Sequence, residues 1–323
     1  FNLWSLDNKI DSIRITSNNK ALVECVQYWC RDRKIEFSWD RPADRKSELS
    51  IFRKLYYIFP NTLRALIQFF RYILTNWPLR GVGLEEWSQS DADVTFFSYL
   101  SNLEEGSEHK VGFKSKLWPR LPEELLKNNC KTNWMHIYCP DPSHPTSRDA
   151  KIKLEQFNKI GAGDQVHTAL ESFLSRSVIC KTVADWLSIL KLTKSLEPRL
   201  SDVECGDVKL WPLFREEWRS SLAGSPSILS ILNLNLFEAA VEMLPIQRIG
   251  VYLYEQQAWE LALINAWKNN KHGMLIGAQH STMLDWDMRY FHDSRNYQRL
   301  NNNDLPMPDL VAVNGPVSKE KFL

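Results

Sequence analysis

The sequence predicts an α/β protein, a parallel sheet with a mostly helical insertion. Three observations predict it. Residues 12–39 read as strand, helix, strand; residues 93–100 form a near-continuous apolar run; residues 249–313 return to strand, helix, strand, loop, strand. Short β runs alternating with helical periods are the pattern of strands joined by helical crossovers. A length of 323 residues suits about two domains, or one heavily decorated domain.

The amino-terminal elements come first. Ser12 to Thr16 (SIRIT) is a short β run, and Asn18 or Asn19 can cap the next helix. From Ala21 to Arg31 the apolar residues Leu22, Val23, Val26, Tyr28 and Trp29 recur near helical spacing, and Ile35 to Trp39 alternates like a strand. Residues 51–77 are the most apolar part of the chain, broken at Pro60, with Asn61 or Thr62 able to cap the second half. Arg53, Lys54, Arg64 and Arg71 punctuate this segment. It reads either as an interfacial helix on an anionic membrane, its basic side chains snorkelling to headgroups, or as a buried helical hairpin. Asp93 to Leu100 (DVTFFSYL) suits a strand buried on both faces. Leu121 to Lys127 has Pro just inside its start and acids in its first turn, a short helix. Thr132 to Tyr138 is a strand and Asp141 to Ser147 a loop.

From Ala150 to about Leu244 strand signals nearly vanish, and helices are expected near 150–160, 165–175, 182–193 and 227–243. Ile249 to Tyr254 is a strand, Gln257 to Asn269 a buried helix, and Gly273 to Ala278 and Leu310 to Val313 two more strands. The expected organisation is a Rossmann-like α/β domain begun in 1–149, a helical insertion over 150–245, and a return to the sheet over 246–323.

Composition narrows the classes. With 24% charged, 44% hydrophobic and 12% aromatic residues, a disordered or collagen-like chain is excluded. Forty Lys and Arg against 39 Asp and Glu give a net charge of +1, which offers no global field for nucleic acid. No stretch reaches the ~20 apolar residues that span a bilayer. The six cysteines form no C-x-x-C and are expected as buried or half-buried free thiols. Twelve glycines are few for several phosphate-binding loops. There is no P-loop, H-E-x-x-H, G-x-S-x-G or G-x-G-x-x-G, so kinase, metalloprotease, hydrolase and standard dehydrogenase readings have no motif. Opening at Phe1 without Met and closing on SKEKFL, the chain is expected to be a piece of a longer one.

Chemistry concentrates between Glu255 and Arg289. Glu255 ends one predicted strand, and Gln279, His280 and Ser281 end the next. Ligands of open α/β sheets bind outside the carboxyl ends of the strands, so both strands deliver a carboxylate and an imidazole to one rim. Such a pair serves acid–base chemistry, or binds sugar hydroxyls and phosphate. Asp285, Asp287 and Arg289 come next among Trp286, Tyr290 and Phe291, and aromatic faces beside carboxylates suit a carbohydrate ring. The bland reading stands beside this one: Glu255 caps the next helix and the QHS turn satisfies backbone groups. His136 reads as a core or edge histidine, His144 lies in a loop, and His109, His167, His272 and His292 have no partner at metal-ligand spacing.

The block YLYEQQAWELALINAWKNNKHGMLIGAQHSTMLDWDMRYF (252–291), followed by LPMPDLVAVNGP (305–316), resembles bacterial surface-carbohydrate biosynthesis proteins near the Kdo- and sialic-acid-type glycosyltransferases. NWPLRG, SYLSNL and KTNWMHIY are similar in smaller pieces. The resemblance implies a GT-B-like arrangement of two Rossmann-like domains, of which this chain is mostly the acceptor-side, amino-terminal half, with the inter-domain linker starting near VAVNGP. It implies a glycosyltransferase at the cytoplasmic face of the membrane, using a nucleotide-sugar donor such as a CMP-linked ulosonic acid, a glycan acceptor, and no metal or other cofactor. Glu255, Gln257 and Glu260 match the family's E-x-Q-x-W-E block, and His280 and Ser281 its Q-H-S block. Glu255, Asp285 or Asp287 would be the base and His280 would hold phosphate or acceptor, with Gln257, Glu260, Gln279, Ser281, Trp286 and Arg289 binding substrate. The paired acidic-Gly and His-Pro signatures of better-known sialyltransferases are missing. A non-catalytic glycan- or partner-binding module and an epimerase-like enzyme are the alternatives.

Overall fold

The computed structural model describes residues 10–42, 56, 58–104, 113–161, 163–200, 204–205, 208–281 and 305–322. The first half runs β1 (Ser12–Thr16), α1 (Lys20–Asp32), β2 (Glu36–Asp40), α2 (Asn61–Asn76), β3 (Val94–Tyr99), β4 (Thr132–Ile137), α3 (Ser147–Gly161) and β5 (Gln165–Ala169). The second runs α4 (Arg176–Leu200), α5 (Trp211–Ala223), α6 (Ser225–Met243), β6 (Ile249–Leu253), α7 (Ala258–Asn269), β7 (Met274–Ala278), β8 (Leu310–Ala312) and α8 (Pro316–Phe322). Contacts divide the chain into two units, Phe1–Phe69 with Val183–Ile228, and Phe70–Thr182 with Leu229–Leu323. The stretch 150–245 that the sequence reads as one insertion is thus shared between both.

In the first unit β1 and β2 pair in parallel from Ser12↔Glu36 to Thr16↔Asp40. The crossover α1 is started by Asn19, whose Oδ1 accepts from the Leu22 N–H at 3.1 Å. It buries Val23, Cys25, Trp29 and Cys30. These elements match the strand, helix and strand expected from residues 12–39.

The second unit is built on a six-stranded, all-parallel sheet in the order β8-β7-β6-β3-β4-β5. The chain enters in the middle at β3, winds outward through β4 and β5, then returns to the other side of β3 for β6, β7 and β8. That is the Rossmann-like, doubly wound order, and its switch point lies between β3 and β6. Alternation along β3 sends Phe96 to one face and Phe97 to the other, and both are buried. Phe96 stacks on Trp134 at 4.3 Å, while Phe97 meets Trp267 edge-on at 5.7 Å. Gly250 of β6 makes room for this packing: a Cβ there would stand 2.8 Å from both Leu275 and Trp267.

The amino ends of the central strands are tied by neutral polar groups. Ser90 Oγ donates to Asn133 Oδ1 at 2.7 Å, and Thr95 Oγ1 donates to Gln247 Oε1 at 2.9 Å. Asn133 Nδ2 donates to both Thr95 and Gln247, and the Gln247 N–H donates to His272 Nδ1. With Nδ1 accepting, Nε2 carries the proton and donates to the Val241 carbonyl at 3.2 Å. A buried network survives when its members are satisfied, and this one locks β3, β4 and the entry to β6.

Three expectations are corrected. Residues 165–175 are not a helix: Gln165–Ala169 is the edge strand β5, and Leu170–Phe173 a 3-10 turn. Cys139 and Cys180 are exposed, although Cys25 and Cys30 are buried free thiols as expected. In α2 Ala65, Phe69 and Ile73 are buried while Leu63, Ile67 and Leu74 are exposed, so this helix is not the buried member of a hairpin; residues 51–55 and 57 of the apolar segment lie outside the described residues. Among the described residues no helix is long and apolar enough to cross a membrane.

Candidate functional site

At the carboxyl edge of the sheet two neighbouring strands end in a carboxylate and an imidazole. Register explains the central pair. Leu253 of β6 faces Ala278 of β7, and the ladder continues past the strand ends as the Tyr254 N–H donates to the Ala278 carbonyl. Glu255 and His280 each lie two residues beyond that matched pair, so they come side by side. His280 Nε2 stands 2.9 Å from Glu255 Oε1, both side chains a little over one-fifth exposed (23% and 22%). Adjacent strands thus bring this acid and this imidazole to one rim, as the sequence leads one to expect. His280 Nδ1 is buried without a partner among the described residues.

Glu255 is held by its own turn. Glu260 is buried in the first turn of α7, and its Oε1 accepts from the Glu255 N–H at 3.0 Å and the Gln257 N–H at 2.7 Å. Reaching back to the N-terminal backbone is half of a capping box, and here it also fixes the strand-to-helix turn. Burial pushes the Glu260 carboxyl up to about 7, against the pull of these backbone N–H groups. Between the two anchored N–H groups Gln256 sits at φ 59°, a left-handed conformation unusual for a side-chain-bearing residue.

The opposite wall comes from β7 and β8. The Gln279 N–H extends the ladder to the Ala312 carbonyl at 2.9 Å, and its side-chain Nε2 donates to the Ser281 carbonyl at 2.8 Å. Asn314 Nδ2 donates to the same carbonyl at 3.1 Å. Gln279 and Asn314 therefore clamp the backbone that carries His280, and Ser281 takes part through its carbonyl.

At the switch point stands Tyr99, the last residue of β3. Its hydroxyl accepts from Trp259 Nε1 at 2.7 Å, with the rings edge to face at 5.9 Å. Burial raises its pKa, Trp259 opposes, and the Glu255 charge raises it further. Tyr99 and Asn314 are not among the residues expected from sequence. The strand-end rule applied to DVTFFSYL and to LVAVN would have marked both. Of the remaining expected site residues, Gln257 is the N-cap of α7. Asp285, Trp286, Asp287 and Arg289 lie outside the described residues.

Farther along the same edge, Glu171 comes after β5, fully buried, with Oε1 accepting from the Tyr72 hydroxyl at 2.6 Å and Oε2 unpartnered among the described residues. Burial pushes its carboxyl up to about 7. His136 of β4 and His167 of β5 stack in the core with Nε2 and Nδ1 3.1 Å apart, and burial drives His136 down to about 3 and His167 well below its ordinary value. Both are therefore neutral, and one donates to the other. Among the described residues no group of three or more His, Cys, Asp or Glu side chains could hold a metal ion.

Comparison with protein-family models, with curated proteins and with solved structures finds no match.

Proposed function

We propose that the Glu255–His280 pair is the acid–base centre of a glycosyltransferase acting in bacterial surface-polysaccharide assembly. The single observation that carries this reading is the pair's 2.9 Å contact on the carboxyl rim, beside the switch point. The resemblance of residues 252–316 supplies the reaction class, and the rim supplies the carboxylate. His280 holds Oε1 of Glu255, and Oε2 has no hydrogen bond among the described residues. In the proposed step Oε2 takes the proton of an acceptor hydroxyl. The hydroxyl oxygen bonds to the anomeric carbon of a nucleotide-activated sugar, such as a CMP-linked ulosonic acid. The bond from that carbon to the phosphate oxygen breaks, and the nucleotide leaves with both electrons. Glu260, Gln279 and Asn314 are positioning residues, since their polar atoms are spent on the backbone that carries the pair.

The test is nucleotide release from CMP-sugars by the full-length protein, with and without an oligosaccharide acceptor. Loss of a positioned general base costs about 10²–10⁴ in rate, so Glu255→Gln should fall by at least that lower figure while its circular dichroism is unchanged. A folded Glu255→Gln chain with wild-type turnover sinks the base assignment. Glycan binding without turnover in wild type favours a non-catalytic module, the reading that the backbone-capping use of Glu260 and Gln279 supports.

A further inference from the structure

A cavity of about 520 Å³ lies in the second unit beside the turn after β5. Arg80 and Lys151 stand on its wall with the hydroxyl-bearing Ser172 and Ser175, and no carboxylate lines it among the described residues. Arg80 is fixed in place: its Nε donates to the Leu174 carbonyl at 3.0 Å, and its guanidinium lies over the Trp77 ring at 5.2 Å. Lys151 projects from the first turns of α3, which is anchored nearby by Ser147 Oγ donating to the Thr75 carbonyl. Its ion-pair partner Glu155 is 3.7 Å away, and both side chains are more than two-fifths exposed (42% and 48%), so water screens that pair and leaves the ammonium available.

The rim of this cationic cavity is apolar and exposed. Trp77 (40%) and Met243 (43%) line it, and Leu74 (74%) stands three residues before Trp77 at the end of α2. A soluble anion would use the two cations and leave these three side chains in water. A lipid bilayer uses both: phosphate for the cations, acyl chains for the apolar rim. We propose that this cavity receives the phosphate of an anionic phospholipid, with Leu74, Trp77 and Met243 entering the acyl layer, so that the second unit docks on a membrane surface. The proposal is independent of the Glu255–His280 pair. It places the contact at residues 74–80 and adds Lys151 and Met243, which lie outside the apolar 51–77 segment.

Co-sedimentation of the full chain with phosphatidylcholine vesicles, with and without phosphatidylglycerol, tests it. Wild type should pellet with the anionic vesicles at low salt and be released as salt rises. On the scale of about fivefold per basic side chain, Arg80→Gln with Lys151→Gln should weaken binding about 25-fold. Leu74→Asp should weaken it with both cations intact, and circular dichroism of each variant should match wild type. Absence of binding to anionic vesicles overturns the proposal, as does unchanged binding by folded variants. Saturable binding of inorganic phosphate, lost in the Arg80 and Lys151 variant but without vesicle binding, would assign the cavity to a soluble anion and overturn the membrane reading.

Discussion

Glu171 is a carboxyl that folding removes from water and gives one donor, Tyr72. Unfolded, such a group titrates near about 4.3; folded, burial lifts it to about 7. Between those values the native chain holds a proton that the unfolded chain has released. Stability from this group is therefore complete below the unfolded pKa and is lost as pH rises through the folded one. Glu171→Gln keeps an acceptor for Tyr72 and removes the titration. Urea unfolding should show the variant more stable than wild type at pH 8, by on the order of 1–3 kcal/mol, with the difference closing toward pH 4. A difference that stays constant with pH would mean that the Glu171 carboxyl does not titrate on unfolding. Glu260 acts in the same window but cannot be replaced as cleanly, because its Oε1 anchors two backbone N–H groups.

At the scale of elements, most of the sheet is legible in the sequence because most strands obey hydrophobic pattern. DVTFFSYL is apolar on alternate and intervening positions, and β3 is buried on both faces. IGVYLY and GMLIGA give β6 and β7, and their shared rim places Glu255 beside His280. The strand QVHTA is not legible in this way. Val166, Ala169, Leu170, Phe173 and Leu174 fall at helical spacing, yet β5 ends at Ala169 and a 3-10 turn turns the later three inward. The polar residues of β5 hide the strand from pattern reading, since their partners are distant in sequence. His167 meets His136, and Thr168 Oγ1 donates to the Val82 carbonyl. Tight register also makes a prediction. Gly250→Ala puts a methyl 2.8 Å from Leu275 and Trp267, and should destabilise by about 1–3 kcal/mol in denaturant unfolding. A neutral result would mean that β6 and α7 part without cost.

For the whole molecule the buried acids and histidines oppose one another. His136 and His167 are held neutral when folded and charge on unfolding below about 6.5, so their stability is lost progressively as pH falls from that value toward the lowered folded ones, and His144 and His272, lowered by burial as well, add to the slope. Glu171 and Glu260 contribute the reverse slope from about 4.3 up to about 7. Between about pH 4.5 and 6.5, where the slopes overlap, the two raised carboxyls offset only part of the histidine slope, so the melting temperature should fall gradually as pH falls across that window, and steeply below about pH 4.5. Differential scanning calorimetry from acid to mildly alkaline pH checks this; a steep change within the overlap window would show that one set is not buried in solution.

The in-register rim has a directional consequence. Because Glu255 and His280 extend neighbouring parallel strands by the same number of residues, the pair is ordered across the sheet, acid on the side of Tyr99 and imidazole on the side of Asn314. Exchanging the two residues would preserve their contact while moving the negative charge one strand spacing, about 4.8 Å, from the switch point. The dyad therefore has a polarity that proximity alone does not define, and a ligand seated there meets two different ends.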